Sequence, residues 1–254
     1  MRRFLYWYAP LACALIATVV FACGLYSYAR GDIGEPLNVS ATSTAPLKTH
    51  SVPSRIVVPI ILGDSLARGT GDESGLGIGG RFVDELRKRH LQTRDVTNLG
   101  LNGARTADLL QELDYRNVRT LLAQSNAIII SIGGNDLWGD NLRSAPARDP
   151  APVMAAVLDR LIEVVKRVRG ANPHARIYVI GLYNPFVNAP FGKIVTPLVR
   201  RWNAKLVDEF AADPNLSVVE TSDIFEWHDR LSFDRFHPNA DGYELIARRI
   251  ADTF

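Results

Sequence analysis

From Arg55 to the C-terminus, short apolar runs alternate with segments whose apolar positions recur every three or four residues. Ile56 to Leu62 is short, mostly β-branched and uncharged, which predicts a buried strand. Val96 to Leu99, Ala127 to Ile132, Ile177 to Ile180 and Leu216 to Val219 read as further strands. Between them the period lengthens. Gly79 to Arg89 presents Phe82, Val83 and Leu86 on one face, and Thr106 to Leu113 presents Leu109, Leu110 and Leu113. Pro152 to Arg169 carries Val153, Val157, Leu161, Val164 and Val168 at helical steps, with Gly170 and Pro173 closing it. Val195 to Phe210 and Ala240 to Thr253 read as two more helices. Strands alternating with helices predict an α/β fold, a parallel sheet covered on both faces.

The pattern breaks twice near the N-terminus. Arg2 and Arg3 precede 26 uncharged residues, Phe4 to Ala29. A helix needs roughly 20 apolar residues to cross a bilayer, and paired arginines stay on the cytoplasmic side. Residues 1–29 are therefore expected to be a membrane anchor or signal segment, with the remainder extracytoplasmic. The first form is a retained single-pass anchor, with Tyr6, Trp7, Tyr8, Tyr26 and Tyr28 as interfacial aromatics. A lipoprotein signal ending at Cys23 and a cleaved signal peptide ending at Ser27-Tyr28-Ala29 are the alternatives. Residues 30–53 are rich in Gly, Pro, Ser, Thr and Ala and predict a flexible tether. Residues 54–254 are expected to form the folded domain.

Composition narrows the chemistry. The net charge is +2 and no Lys/Arg block stands out, which gives nucleic-acid binding no electrostatic basis. Both cysteines, Cys13 and Cys23, lie in the N-terminal run. A disulfide framework, a thiolate zinc site and a cysteine nucleophile are thereby excluded from the folded body.

In open parallel sheets, ligands sit beyond the carboxyl ends of the strands. The segments there are Gly63-Asp64-Ser65-Leu66, Gly100-Leu101-Asn102-Gly103, Gly133-Gly134-Asn135-Asp136 and, near the C-terminus, Asp234-Arg235-Phe236-His237-Pro238-Asn239. Each supplies a part that acyl transfer needs. Ser65 is a candidate nucleophile once a base takes its proton. His237 is the candidate base, because imidazole titrates near neutrality. Asp234, three residues earlier, is placed to orient the ring. The Ser65 N–H, the Gly103 N–H and the Asn135 side-chain amide are candidate oxyanion donors. Any one of these segments alone is an ordinary cap or turn. Together, at successive strand ends, they point to serine hydrolysis.

These four segments resemble, in order and spacing, the four blocks of the SGNH/GDSL hydrolases. The resemblance covers about residues 55 to 254. It implies a three-layer α/β/α sandwich with a short parallel sheet of flavodoxin-like type. It implies that Ser65, Gly103, Asn135 and His237 are the family's name-giving residues and that Asp234 completes the triad. The stretches "GDSLARGTGDE" and "DRFHPNADGY" are similar to an envelope-attached bacterial lipase/acylhydrolase subgroup. The expected function is a carboxylic ester hydrolase acting on a small-molecule, lipid or glycan ester, with no cofactor and no metal.

Two other chemistries remain open at this point. Gly63-Asp64 and Gly134-Asn135-Asp136 faintly match metal-ligand motifs of two-metal phosphoesterases, without an Asp-x-His at the first strand. Acyl transfer to an envelope glycan would use the same triad. The spaced glycines of Gly75 to Gly80 imitate a dinucleotide fingerprint but lie too far from the preceding strand; they are read as a mobile loop beside the nucleophile. His228 is a secondary candidate base. Asp64 and Asp136 are read as loop-orienting or turn-forming, and Arg105 as pairing with a carboxylate or contacting an anionic substrate. Trp138, Tyr183, Phe186 and Phe191 are candidates for an apolar acyl pocket or for core packing.

Overall fold

The computed structural model describes residues 14–23, 26, 56–138, 150–187, 189–226 and 228–254, the side chain of His228 excepted. By its contacts the chain separates into residues 1–48 and 49–254. In the first unit, residues 14–23 are helical and exposed. Among the described residues no helix is long and apolar enough to cross a membrane. The rest of the expected span, and the whole expected tether, lie outside the described residues.

The second unit is built on a parallel sheet of five strands: β2 (Pro59–Gly63), β4 (Thr97–Gly100), β5 (Ala127–Ser131), β6 (Arg176–Ile180) and β7 (Leu216–Val219). Their spatial order is β4-β2-β5-β6-β7, which is the flavodoxin-like doubly wound order. The first strand expected from the sequence is split. β1 (Ile56–Val57) leaves to pair with β3 (Gln92–Thr93) in a separate two-stranded sheet. Val58 donates its N–H to the Asn126 side chain instead of to a strand. The strands were legible because a sheet covered on both sides needs apolar residues at every position: β2 and β5 are buried throughout.

Two apolar layers cover the sheet. Alternate residues of one strand point to opposite faces, and Ile60 and Leu62 enter one cluster while Ile61 enters the other. The first face is covered by α3 (Thr106–Glu112), α4 (Arg116–Gln124), α6 (Ala151–Ala171) and α7 (Gly192–Phe210). The second is covered by α2 (Gly77–Lys88) and α8 (Ala240–Asp252), through Ile78, Phe82 and Leu86 against Tyr243, Ile246 and Ile250. The result is the three-layer sandwich expected from the sequence. Helix α4 was not expected, although Val118, Leu121 and Leu122 carry a short helical stripe. One core expectation is corrected. Val153 is 41% exposed and the buried residue of that first turn is Met154. Val153 faces an apolar hollow rather than the sheet.

Two short helices follow central strands: α1 (Ser65–Arg68) after β2 and α5 (Gly134–Trp138) after β5. The strand order reverses between β2 and β5, so this is the topological switch point, where such sheets open a crevice for ligand.

Candidate active site

The turn out of β2 is built for close approach. Gly63 has φ +131°, and a Cβ there would lie 1.7 Å from the Ser131 carbonyl oxygen. Only glycine fits both that conformation and that space. The Asp64 N–H donates to the same carbonyl at 2.9 Å. The Asp64 side chain then caps α1, accepting from the Leu66 N–H at 3.0 Å and from the Ser131 hydroxyl at 3.2 Å. Asp64 is buried, and that burial pushes its carboxyl up to about 6 against the pull of these hydrogen bonds. Its role is to hold the first turn of α1, and hence Ser65, on the end of β2.

The C-terminal segment forms a tight loop. Ser232 donates its N–H to the His237 carbonyl, and Leu231 bridges Pro238. Asp234 Oδ1 accepts from the Ser232 hydroxyl and from the N–H groups of Phe236 and His237, at 2.7–2.9 Å. Its Oδ2 lies 2.6 Å from His237 Nδ1. Partial burial pushes the Asp234 carboxyl up, but these hydrogen bonds outweigh it and hold the group down at about 2. An ionised Oδ2 accepts from Nδ1–H, which leaves Nε2 as the acceptor of the ring. Nε2 lies 2.8 Å from Ser65 Oγ, across 172 residues of sequence. The loop continues into α8, capped by Asn239 accepting from the Gly242 N–H. Tyr183, in the segment after β6, steadies it by donating its hydroxyl to the Phe236 carbonyl at 2.6 Å.

The segments after β4 and β5 are joined to each other. Asn135 Nδ2 donates to the Ala104 carbonyl at 2.9 Å, which leaves its second amide hydrogen for another acceptor. Gly103 has φ +78° and nothing within 4 Å of a Cβ position, so conformation rather than crowding selects glycine there. Asp136 accepts from the Thr106 N–H and hydroxyl, and Arg160 of α6 reaches both Asp136 and Thr106. Asp136 is thus a brace between the two loops. Arg160 and Ser131 were not singled out from the sequence. Arg160 had a faint signal, a cation beside the apolar stripe of α6.

Ser65, Asn135 and His237 line one cleft of about 510 Å³, part of it open to solvent. Trp138, Leu182, Tyr183, Pro185 and Phe236 supply its apolar wall. Asp234 stands behind His237. Gly103 is not among the lining residues and reaches the cleft only through the neighbouring Ala104–Asn135 bond. Of the four aromatics raised from the sequence, Trp138 and Tyr183 line the cleft. Phe186 packs behind them, edge-on to Trp138 and tilted against Phe191 and Phe236.

The remaining candidates fall elsewhere. The glycines at 77, 79 and 80 lie inside α2, and the loop before them is fastened by Asp72. That carboxylate accepts from the Gly77 N–H, from Ser74 and from Arg81. This replaces the expected mobile loop with a tied one. His228 lies in a single 3₁₀ turn. Among the described residues no three His, Cys, Asp or Glu side chains converge as a metal-ligand group.

The sequence pattern of the GDSL-like Lipase/Acylhydrolase family matches residues 61–245. The chain is 29% identical over 223 residues to the uncharacterized protein YpmR of Bacillus subtilis (strain 168), covering 84% of this chain and 88% of that one. Among solved structures it is similar in fold to the lipase Lip_vut3 from a goat rumen metagenome, with TM-score 0.65 and 18% identity over 77% of this chain and 96% of that chain. It is also similar to a family 3 carbohydrate esterase of Clostridium thermocellum, with TM-score 0.57 and 18% identity over 78% and 94% of the two chains. Axe2, an acetylxylan esterase from Geobacillus stearothermophilus, aligns with TM-score 0.54 and 20% identity over 78% and 95%.

Proposed function

This chain belongs to the GDSL-like lipase/acylhydrolase family, and from that premise we propose that it is a serine esterase working through an acyl-enzyme on Ser65. The observation that carries this reading is the unbroken relay from Ser65 Oγ through both ring nitrogens of His237 to Asp234, at 2.8 and 2.6 Å. Both separations are within the reach that proton transfer requires.

The proposed reaction has two steps. His237 Nε2 takes the Ser65 proton as Oγ bonds to the ester carbonyl carbon, and the carbonyl electron pair moves to oxygen. Asp234 stays ionised and stabilises the imidazolium through Nδ1–H. The oxyanion is held by the Ser65 N–H and by the spare amide hydrogen of Asn135; the Gly103 N–H, whose residue lies outside the cleft lining, is the third donor only as the family resemblance implies. Collapse breaks the bond to the alcohol, which leaves with the proton from Nε2. Water, deprotonated by His237, then releases the acid and restores Ser65. No metal or cofactor takes part in these steps.

The uncharged run of residues 4–29 behind Arg2 and Arg3 supports placing the catalytic unit outside the cytoplasmic membrane, on an envelope or external ester. The test of the chemistry is direct. Ser65→Ala lowers kcat on a short-chain chromogenic ester by about 10⁴-fold or more, and a fluorophosphonate probe labels the wild type at Ser65 alone. A Ser65→Ala protein with undiminished turnover would overturn the proposal.

A further inference from the structure

Asn135 spends one amide hydrogen on the Ala104 carbonyl at 2.9 Å. Its spare hydrogen therefore points where the spacing between α5 and the loop after β4 directs it. That spacing is clasped one residue further along α5. Asp136 receives the N–H and the hydroxyl of Thr106, the first residue of α3, at 2.9 and 2.7 Å. Thr106 is fully buried, and the Asp136 side chain is only 4% exposed. A third element closes the clasp. Arg160, in the middle of α6, donates from Nε to the Thr106 hydroxyl at 2.7 Å and from Nη2 to Asp136 Oδ1 at 3.1 Å. The guanidinium spans both loops at once, and the Thr106 hydroxyl accepts from Arg160 while it donates to Asp136.

We propose that Arg160 is a positioning residue for the ester hydrolysis: from α6 it fixes the spacing of the two loops and so aims the Asn135 amide at the developing oxyanion. This role presupposes that Ser65 is the nucleophile whose attack creates that oxyanion. Helix α6 is a firm base for it. Val157 and Leu161 flank Arg160 in the sequence and are fully buried in the core under the sheet. A Cβ on Gly133, just before α5, would lie 3.4 Å from Val157, so α6 bears directly on the turn that carries Asn135. Stability gives no separate reason for the arrangement. Taking a carboxylate and a guanidinium out of water costs much of what their attraction returns, and such a pair is often replaced by apolar side chains without loss. What the planar guanidinium adds is direction, because its fixed fork sets the mutual orientation of the groups it holds, which a lysine ammonium does not do. An oxyanion donor needs that direction, since it acts only when held about 2.7–3.1 Å from where the charged oxygen will stand. Arg160 does not line the cleft, so it acts through Asp136, Thr106 and Asn135 and not on the ester.

The experiment uses the full chain, p-nitrophenyl acetate and an aryl trifluoromethyl ketone. The ketone carbon bonds to a serine Oγ and leaves an oxyanion in the place of the reacting one. Arg160→Met keeps an apolar stem and removes both donors. Its kcat falls about 100-fold, the cost of misplacing a group by roughly 1 Å, while KM stays within about twofold. The inhibition constant of the ketone rises by the factor by which kcat falls, which a loss of folded protein would not produce. Arg160→Lys keeps a charge beside the buried Asp136, and with it the fold, but its ammonium cannot hold both partners in one plane; it restores kcat to within about tenfold of the wild type. A kcat within twofold of the wild type in Arg160→Met overturns the proposal, as does the same result in Arg160→Lys where the methionine variant does not fold. A fall in kcat with an unmoved ketone constant also overturns it. Ser65→Ala separates this role from the reading beneath it. Ser65→Ala inactive beside a fully active Arg160→Met keeps Ser65 and overturns the positioning role. Undiminished turnover in Ser65→Ala overturns both, because no oxyanion then forms at that serine.

Discussion

Two aspartates stand beside the two ends of the relay, and their surroundings push them in opposite directions. Asp64 precedes Ser65 at the end of a central strand. It is sealed between β2, β5 and α1, and its burial raises the carboxyl to about 6. Asp234 precedes His237 on a surface loop. It gathers hydrogen bonds from Ser232, Phe236 and both the backbone and the ring of His237, and these hold it at about 2. Ser65 is therefore positioned by packing that belongs to the fold. His237 is positioned by a local hydrogen-bonded loop that could be changed with little cost to the core. The aspartate that carries charge in the proposed mechanism sits where charge is stabilised, and the one that caps a helix tolerates a site where charge is penalised.

Substitutions at each region test that contrast. The largest effect is expected at Asp234→Asn, which removes the charge facing Nδ1 and favours the wrong tautomer. It lowers kcat by about 10⁴-fold while the urea midpoint moves little. Loss of folding with kcat retained in the folded fraction would break the contrast. Gly63→Ala does the reverse. Its Cβ meets the Ser131 carbonyl at 1.7 Å in a left-handed backbone, and the cost is about 4 kcal/mol or more of stability, read from denaturant unfolding.

The smallest effect is a pH dependence. A carboxyl raised from 3.8 to about 6 binds its proton more tightly folded than unfolded. Its contribution to stability is full below pH 3.8 and is lost as the pH rises through 6, by about 3 kcal/mol. Asp64→Asn keeps the cap acceptor and removes the titration. The variant is expected to gain on the wild type between pH 4 and pH 8. A stability difference that does not change with pH would show that Asp64 is not held in a penalising site. Asp234 and Asp72, both lowered to about 2, act with the opposite sign. Their stabilisation is present above pH 3.8 and is lost as the pH falls through 2.

Parts of this arrangement were legible residue by residue. The central strands β2 and β5 stood out because burial on both faces leaves an unbroken apolar run, and the long helices because one wet face imposes a period of 3.6. Asp234 and His237 could be paired from their spacing, since three residues of loop can bring a carboxylate to a ring. Other features carried no pattern. The helix after β2 has four residues, too few for a period. The split at Val58 depends on Asn126, distant in sequence. Asp136 looked like a turn residue, and only the approach of Thr106 and Arg160 makes it a brace.

The sequence by itself determined the class of fold, the residue types at each strand end and the local Asp234–His237 pair. These follow from periodicity and short-range geometry, which a linear chain records. Tertiary structure alone decided that Ser65 and His237 meet across 172 residues and that one aspartate is raised and the other lowered. Those depend on how β2, β5 and α8 pack in space, and on the exclusion of water that packing brings, neither of which any single segment encodes.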